Sequence, residues 1–229
     1  MNIRVFTDSE SACRAAAEAI ALEARTAVTA RKWFTIAFSG GRSPAPMFQA
    51  LAREQVPWEA VQVLQVDERV APAGHPDRNF MQLKDCLLVQ APLRPDQIHP
   101  MPVENPDLEA AARQYALDLE RLAGTPPVLD LLHLGLGPDG HTASLVPADP
   151  DLDVTDRDVA VSGVYQGRRR LTLTFPAINR ARRILWLVTG ADKAPLLPKL
   201  RDGDTSIPAG RVRHENAVLF ADRAAAAEL

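Results

Sequence analysis

Short apolar runs alternate along this chain with stretches whose apolar residues recur at helical spacing. Residues 3–6, 33–38, 61–66, 129–134 and 184–188 read as strands, as do the shorter runs 159–162, 171–175 and 217–221. The threonines of LTLT favour β structure in the 171–175 run. Residues 9–31 are rich in Ala, Glu and Arg and predict a long helix, with Ser9 or Ser11 available as its cap. Pro44 suits the first turn of a helix that runs on through Leu51. Helical patterns also cover 79–89, 106–122 and 192–200, and an alanine-rich helix is expected after the last strand. Residues 70–78, rich in Pro and Gly, read as a loop. Strands alternating with helices predict an α/β fold, a mostly parallel sheet with helices on both faces. No repeat or linker interrupts the pattern, so 1–229 is expected to form one domain.

Bulk composition narrows the function. A hydrophobic share of 46% and a charged share of 24% are ordinary for a soluble globular protein. A net charge of -3 argues against a general nucleic-acid binder, though not against a local basic pocket for a small anion. Cys13 and Cys86 suggest no disulfide framework and fall in helical patterns. The amino terminus has no long apolar run and meets acidic residues early, unlike a signal peptide. No stretch approaches the ~20 apolar residues of a membrane span. A cytoplasmic protein is the expectation, with neither nucleic acid nor membrane as partner.

Four strand ends carry chemistry: SGGRSP at 39–44, DER at 67–69, GLGPDGHTAS at 135–144 and TGADK at 189–193. In a parallel sheet these ends open on one edge, where α/β proteins build their sites. Ser39, Gly40, Gly41, Arg42 and Ser43 lie between a strand and a helix. Tight glycine turns and a helix amino terminus make a phosphate cradle there; the alternative is a structural turn with a serine cap. Gly135 to Gly140 fits GxGxxG, but Pro147 follows too soon for the long helix of a dinucleotide site. Its glycines, Gly137 among them, rather let the backbone approach a small substrate. His141 follows Asp139 by two residues, and an imidazole oriented by a carboxylate can take a proton from water near neutral pH. The alternative is an exposed loop histidine. His75, His99 and His214 fit a loop setting, and His133 fits a satisfied core histidine. Asp67-Glu68-Arg69 suits sugar orientation and charge stabilisation, or a surface ion pair after a strand. Arg168, Arg169 and Arg170 form a basic run from which one side chain can point inward. Lys193 opens a helix, where a cation is disfavoured unless an anion sits nearby. No metal-ligand set, CxxC pair or GxSxG elbow is present in the sequence, which leaves general-base attack by water as the simplest chemistry.

This pattern resembles the 6-phosphogluconolactonase family from about residue 34 to residue 207 and beyond. GLGPDGHTASLVP is the most specific part, and VDER with a later Asn79, RRLTLT and VTGADKA recur in the expected order. The resemblance implies a modified Rossmann-like fold with no dinucleotide site, shared with the glucosamine-6-phosphate deaminases. It implies hydrolysis of 6-phospho-D-glucono-1,5-lactone in the oxidative pentose phosphate pathway, with no cofactor and no metal. On that resemblance His141 is the general base and Asp139 orients it. Arg69 stabilises the oxyanion, and Asp67 contacts substrate or positions Arg69. Gly40, Gly41, Arg42 and Ser43 hold the phosphate with Arg170 and Lys193. The expected partner is a small phosphosugar lactone, and the expected state a monomer or weak homodimer. Three departures stand out: Arg42-Ser43 where Ser-Thr is usual, Val146 where an aromatic is frequent, and Gly210 where a serine is common. Related deaminases carry DEY in place of DER and an acidic residue just after the DGH turn, which this chain lacks. A sugar-phosphate sensor is a further alternative.

Overall fold

The apolar runs pair into a seven-stranded parallel sheet and a separate three-stranded antiparallel one, in a computed structural model that describes residues 1–41 and 43–229. The large sheet holds β1 (Asn2–Phe6), β2 (Phe34–Phe38), β3 (Val61–Gln65), β5 (Ile98–His99), β6 (Leu131–Leu134), β9 (Ile184–Val188) and β10 (Ala217–Asp222). Its order is β1-β10-β9-β6-β2-β3-β5, and every pairing is parallel. The small sheet joins β4 (Asp67–Arg69), β8 (Arg168–Leu173) and β7 (Val159–Tyr165), with β8 in the middle.

Burial on both faces explains the unbroken apolar runs. In β9, Ile184, Trp186 and Val188 belong to one core cluster, while Leu185 and Leu187 belong to the other. This is the period-2 alternation of a strand covered on both sides. Helix α1 (Ser9–Arg31) buries an alanine face, Ala16, Ala17 and Ala24 among it, in the cluster that also takes α2 (Pro44–Leu51). Helix α4 (Leu108–Ala123) covers the other side with Tyr115 and Leu119. The strand order reverses between β2 and β6, since β3 and β5 build outward on one side and β9, β10 and β1 on the other. The crevice at such a switch point, beyond the carboxyl ends of the strands, is the expected place for a ligand.

Local structure departs from the sequence expectations at several points. The 171–175 run is β only as far as Leu173, and Phe175 opens a short helix α5 (Phe175–Arg180). Asp8, not Ser9 or Ser11, caps α1: its carboxylate accepts the Ser11 amide at 2.8 Å, and the Ser11 hydroxyl accepts the Asp8 amide at 3.3 Å. The 79–89 helix is a short α3 (Asn79–Leu83) followed by a π turn over Lys84–Leu88. The 192–200 helix is a 3-10 turn at Ala191–Lys193 and then α6 (Leu197–Asp202). Pro195 and Pro198 lack the amide donors that one continuous helix would need. His99 lies in β5 with its Nε2 2.7 Å from Gln62 Oε1 rather than in a loop. The alanine-rich terminus forms turns, tied by the Arg223 amide to the Phe6 carbonyl and by the Ala225 amide to Asp222. These tethers override the helical propensity of the alanines.

Candidate active site

A cleft of about 680 Å³ opens at the carboxyl ends of β9, β6, β2 and β3. Ser39, Gly40, Gly41 and Ser43 line it, as do Asp67, Arg69, Gly137, His141, Arg170 and Lys193. Asp139 stands behind His141, and Arg42 lies outside the described residues.

His141 leaves β6 in the turn that follows Gly135. Its Nδ1 lies 2.5 Å from Asp139 Oδ1, and its own amide donates to the same oxygen at 3.1 Å. Gly137 makes this turn possible by close approach. A Cβ built on it would fall 2.6 Å from His141 Cγ and nearer still to the ring atoms Nδ1 and Cε1. The Gly137 amide donates to the His141 carbonyl at 2.8 Å, so backbone and ring fold onto one glycine. After Gly140 the chain forms a bridge between Thr142 and Leu145 and then turns, not the helix of a nucleotide fingerprint. Asp139 is held below the usual carboxylate range: burial opposes its charge, but the charge and hydrogen bonds of His141 and the Tyr165 hydroxyl outweigh burial.

The small sheet does what the sequence pattern did not disclose. It pairs Asp67 with Thr172, Glu68 with Leu171 and Arg69 with Arg170. Directly opposed residues point to one face, and two like charges there repel. Of the three adjacent arginines, Arg170 is the buried one; Arg168 pairs with Asp77 at 2.8 Å, and Arg169 is exposed. Burial lowers the Arg170 pKa and Arg69 adds to that, while Asp67 pulls it back up. Asp67 lies beneath these cations, accepting the Ser39 hydroxyl at 3.2 Å and the Ser144 hydroxyl at 2.7 Å. Ser144 in turn lies 3.4 Å from Arg170 Nη1.

Glu68 positions Arg69 more directly than Asp67 does. Its fully buried carboxylate accepts the amides of Arg69, Asn79 and Phe80 at 2.8, 2.7 and 2.9 Å, and Arg78 Nε lies 3.5 Å away. Arg69 Nη1 then donates to the Asp77 carbonyl at 2.8 Å, which aims its guanidinium along the cleft wall. Asn79 donates to the Asp67 carbonyl at 3.0 Å and packs on Gly40.

At the other end, Ser39 is committed: its hydroxyl goes to Asp67, and its amide donates to the His133 carbonyl at 3.2 Å. The Ser43 hydroxyl accepts a bond from Thr189 at 3.0 Å, which ties the glycine loop to the end of β9. Lys193 is buried beside this loop with its Nζ 3.0 Å from Asp192, so a neighbouring carboxylate, rather than a long helix, sets its surroundings. His133 is a core residue, as expected. Burial pushes its pKa down to about 3, and its Nδ1 has no hydrogen-bond partner among the described residues. Gly210 packs against the Asp204 backbone, which closes that position to the serine common elsewhere.

A family described as glucosamine-6-phosphate isomerases/6-phosphogluconolactonase matches residues 7–220. The chain belongs to this family. It is 33% identical over 235 residues to a 6-phosphogluconolactonase of Nostoc sp., spanning 99% of this chain and 98% of the relative. It is 44% identical over 178 residues to a 6-phosphogluconolactonase of Synechocystis sp., spanning 76% of this chain and 74% of the relative. Among solved structures, 6-phosphogluconolactonase from Trypanosoma brucei superposes with a TM-score of 0.88 at 25% identity, covering 100% of this chain and 98% of the other. Ser144 and Tyr165 support the cleft without being candidates from the sequence, and Glu68, a candidate for sugar orientation within DER, instead holds the backbone around Arg69. Ser144 closes GHTAS, a motif that marks its place. Tyr165 lies on a hairpin tip with no flanking motif.

Proposed function

We propose that this protein hydrolyses 6-phospho-D-glucono-1,5-lactone to 6-phosphogluconate. The observation that carries the reading is the His141–Asp139 pair at a cleft that Arg69 and Arg170, paired across the small sheet, also line. A base beside concentrated positive charge suits water attack on an ester carbonyl. Relatives named 6-phosphogluconolactonase that align over nearly the whole chain support the choice of substrate.

With Nδ1–H directed to Asp139, the Nε2 lone pair of His141 takes a proton from water as the oxygen attacks C1. Arg69 stabilises the oxyanion that forms. Collapse breaks the bond from C1 to the ring oxygen, and the proton on Nε2 passes to that leaving oxygen. The product is a carboxylic acid, which ionises and releases one proton to solvent. The glycine loop and Lys193 hold the phosphate at the far end, and that remote binding energy positions the lactone. Arg170, whose guanidinium lies over the ring of Tyr165, the residue bonded to Asp139, belongs to the reacting end on this reading. Both cysteines are free, which suits a reducing cytoplasm as the place of action.

The test follows acid release from the lactone with the spontaneous rate subtracted, and ammonia release from glucosamine 6-phosphate in parallel. Catalysed acid release without ammonia is the expected result. Ammonia without acid would overturn the reading in favour of a deaminase.

A further inference from the structure

The residue that joins the base to the cationic side of the cleft is Tyr165. Its hydroxyl donates to Asp139 Oδ2 at 2.9 Å, the carboxylate oxygen that His141 leaves open. Its ring meets the imidazole of His141 edge-on, with centroids 5.4 Å apart and planes at 68°. The Arg170 guanidinium lies over the same ring, 5.0 Å from its centroid. One side chain thus touches the base, the group that orients the base and a cleft arginine.

The backbone explains how it gets there. Strands β7 and β8 are joined through Gln166 and Gly167, both in the left-handed region at φ 51° and 77°, between the paired residues Tyr165 and Arg168. Two left-handed residues make the tight turn that matches strand twist. A register shift between Ser162 and Tyr165 marks a bulge just before it, a device that re-aims a side chain. Burial, with the bond to Asp139 next, raises the Tyr165 pKa, so the hydroxyl stays protonated and serves as a donor.

We propose that Tyr165 is a positioning residue that holds Asp139, and through it the His141 imidazole, in the orientation for proton transfer, while its ring seats Arg170. This rests on the lactonase reading for the identity of the reaction. Removing only the hydroxyl should loosen Asp139 while keeping the ring, so Tyr165→Phe should lower kcat about tenfold and leave KM within about twofold. Tyr165→Leu also removes the seat of Arg170 and should raise KM as well.

The experiment measures kcat and KM for the lactone in wild type and both variants, with thermal unfolding as a check on folding. It adds the proton NMR signal of the His141 Nδ1–H in the free proteins, assigned by its loss in His141→Ala. The expected result is a kcat loss and a shifted Nδ1–H signal in Tyr165→Phe at wild-type Tm. A wild-type kcat in Tyr165→Phe, or an Nδ1–H signal that does not move, would overturn the proposal. If the wild-type protein does not hydrolyse the lactone, the function reading falls and the Nδ1–H signal alone decides the role of Tyr165.

Discussion

Gly137→Ala should disable the protein without unfolding it. The added methyl would sit 2.6 Å from His141 Cγ and closer to Nδ1 and Cε1. Carbon atoms in contact keep about 3.5–4.0 Å and Cε1 would lie 2.2 Å away, so the ring must retreat by at least about 1.3 Å. That retreat stretches the 2.5 Å link to Asp139 and moves Nε2 off the line of water attack. A misplacement of about 1 Å costs about 100-fold in rate, or about 2.7 kcal/mol of barrier. Stability should change little. Gly137 is not among the glycines at positive φ, so alanine fits the backbone. The half-buried imidazole has room to swing toward solvent, and replacing glycine restricts the unfolded chain, which gains about 0.4–1 kcal/mol at a compatible site. The assay is initial-rate acid release with the spontaneous reaction subtracted, beside a denaturant melt. A kcat near wild type would refute the reasoning, because the ring position would then not matter. So would a kcat loss that only tracks a loss of folded protein.

Three further outcomes follow from the structure. His141→Ala and Asp139→Asn should each lower kcat at least ~100-fold, the second because an amide no longer fixes the imidazole tautomer; little change in inorganic phosphate affinity, measured by calorimetry, is expected. Glu68→Ala leaves the amides of Arg69, Asn79 and Phe80 and the Gln65 side-chain amide without their acceptor, and Arg78 with Glu104 as its one remaining carboxylate among the described residues, so urea unfolding should show a loss of about 3 kcal/mol or more; an unchanged midpoint would mean the Arg69 strand is held otherwise. Burial, with the charges of Asp149 and Glu109, raises the Asp151 pKa to about 6, so the folded protein keeps a proton that the unfolded chain loses near pH 3.8. Stability from this group is therefore lost as pH rises from about 4 to 6, and Asp151→Asn should stabilise by on the order of 1 kcal/mol, after allowance for solvent screening, at pH 7 but not at pH 4. Equal effects at both pH values would count against it.

Much of the fold was legible because burial on both faces writes itself into the chain. The runs at 34–38 and 184–188 are apolar at every position bar Thr35, and each ends where glycine or a polar residue lets the chain turn toward the cleft. Helices α1 and α2 begin and end where periodicity and Pro44 place them. What stayed hidden is non-local. Asp67–Arg69 looks like a strand end until it pairs with residues about 100 positions away, and no local pattern encodes that partner. The choice of Arg170 over its neighbours depends on that pairing. Tyr165 was hidden for the same reason, since a bulge and a two-residue turn decide its direction. The terminal alanines fail in the opposite way: their local propensity is clear, but tethers to Phe6 and Asp222 override it.

The facing arginines suggest why the site needs so much scaffolding. Two guanidinium groups on opposed residues repel, so a free cleft holds them only against a restoring cost. Asp67 offsets part of that cost at Arg170, and the hydroxyls of Ser39 and Ser144 fix its carboxylate in place. Glu68 pins the strand from which Arg69 projects, and the Tyr165 ring seats Arg170. The positive field is therefore set before substrate arrives. It is aimed at an oxyanion that exists only after water has attacked, which lowers the barrier more than it deepens substrate binding. Loosening any of these anchors should for that reason reduce kcat before it raises KM, and the two arginines themselves are where the two constants should part least.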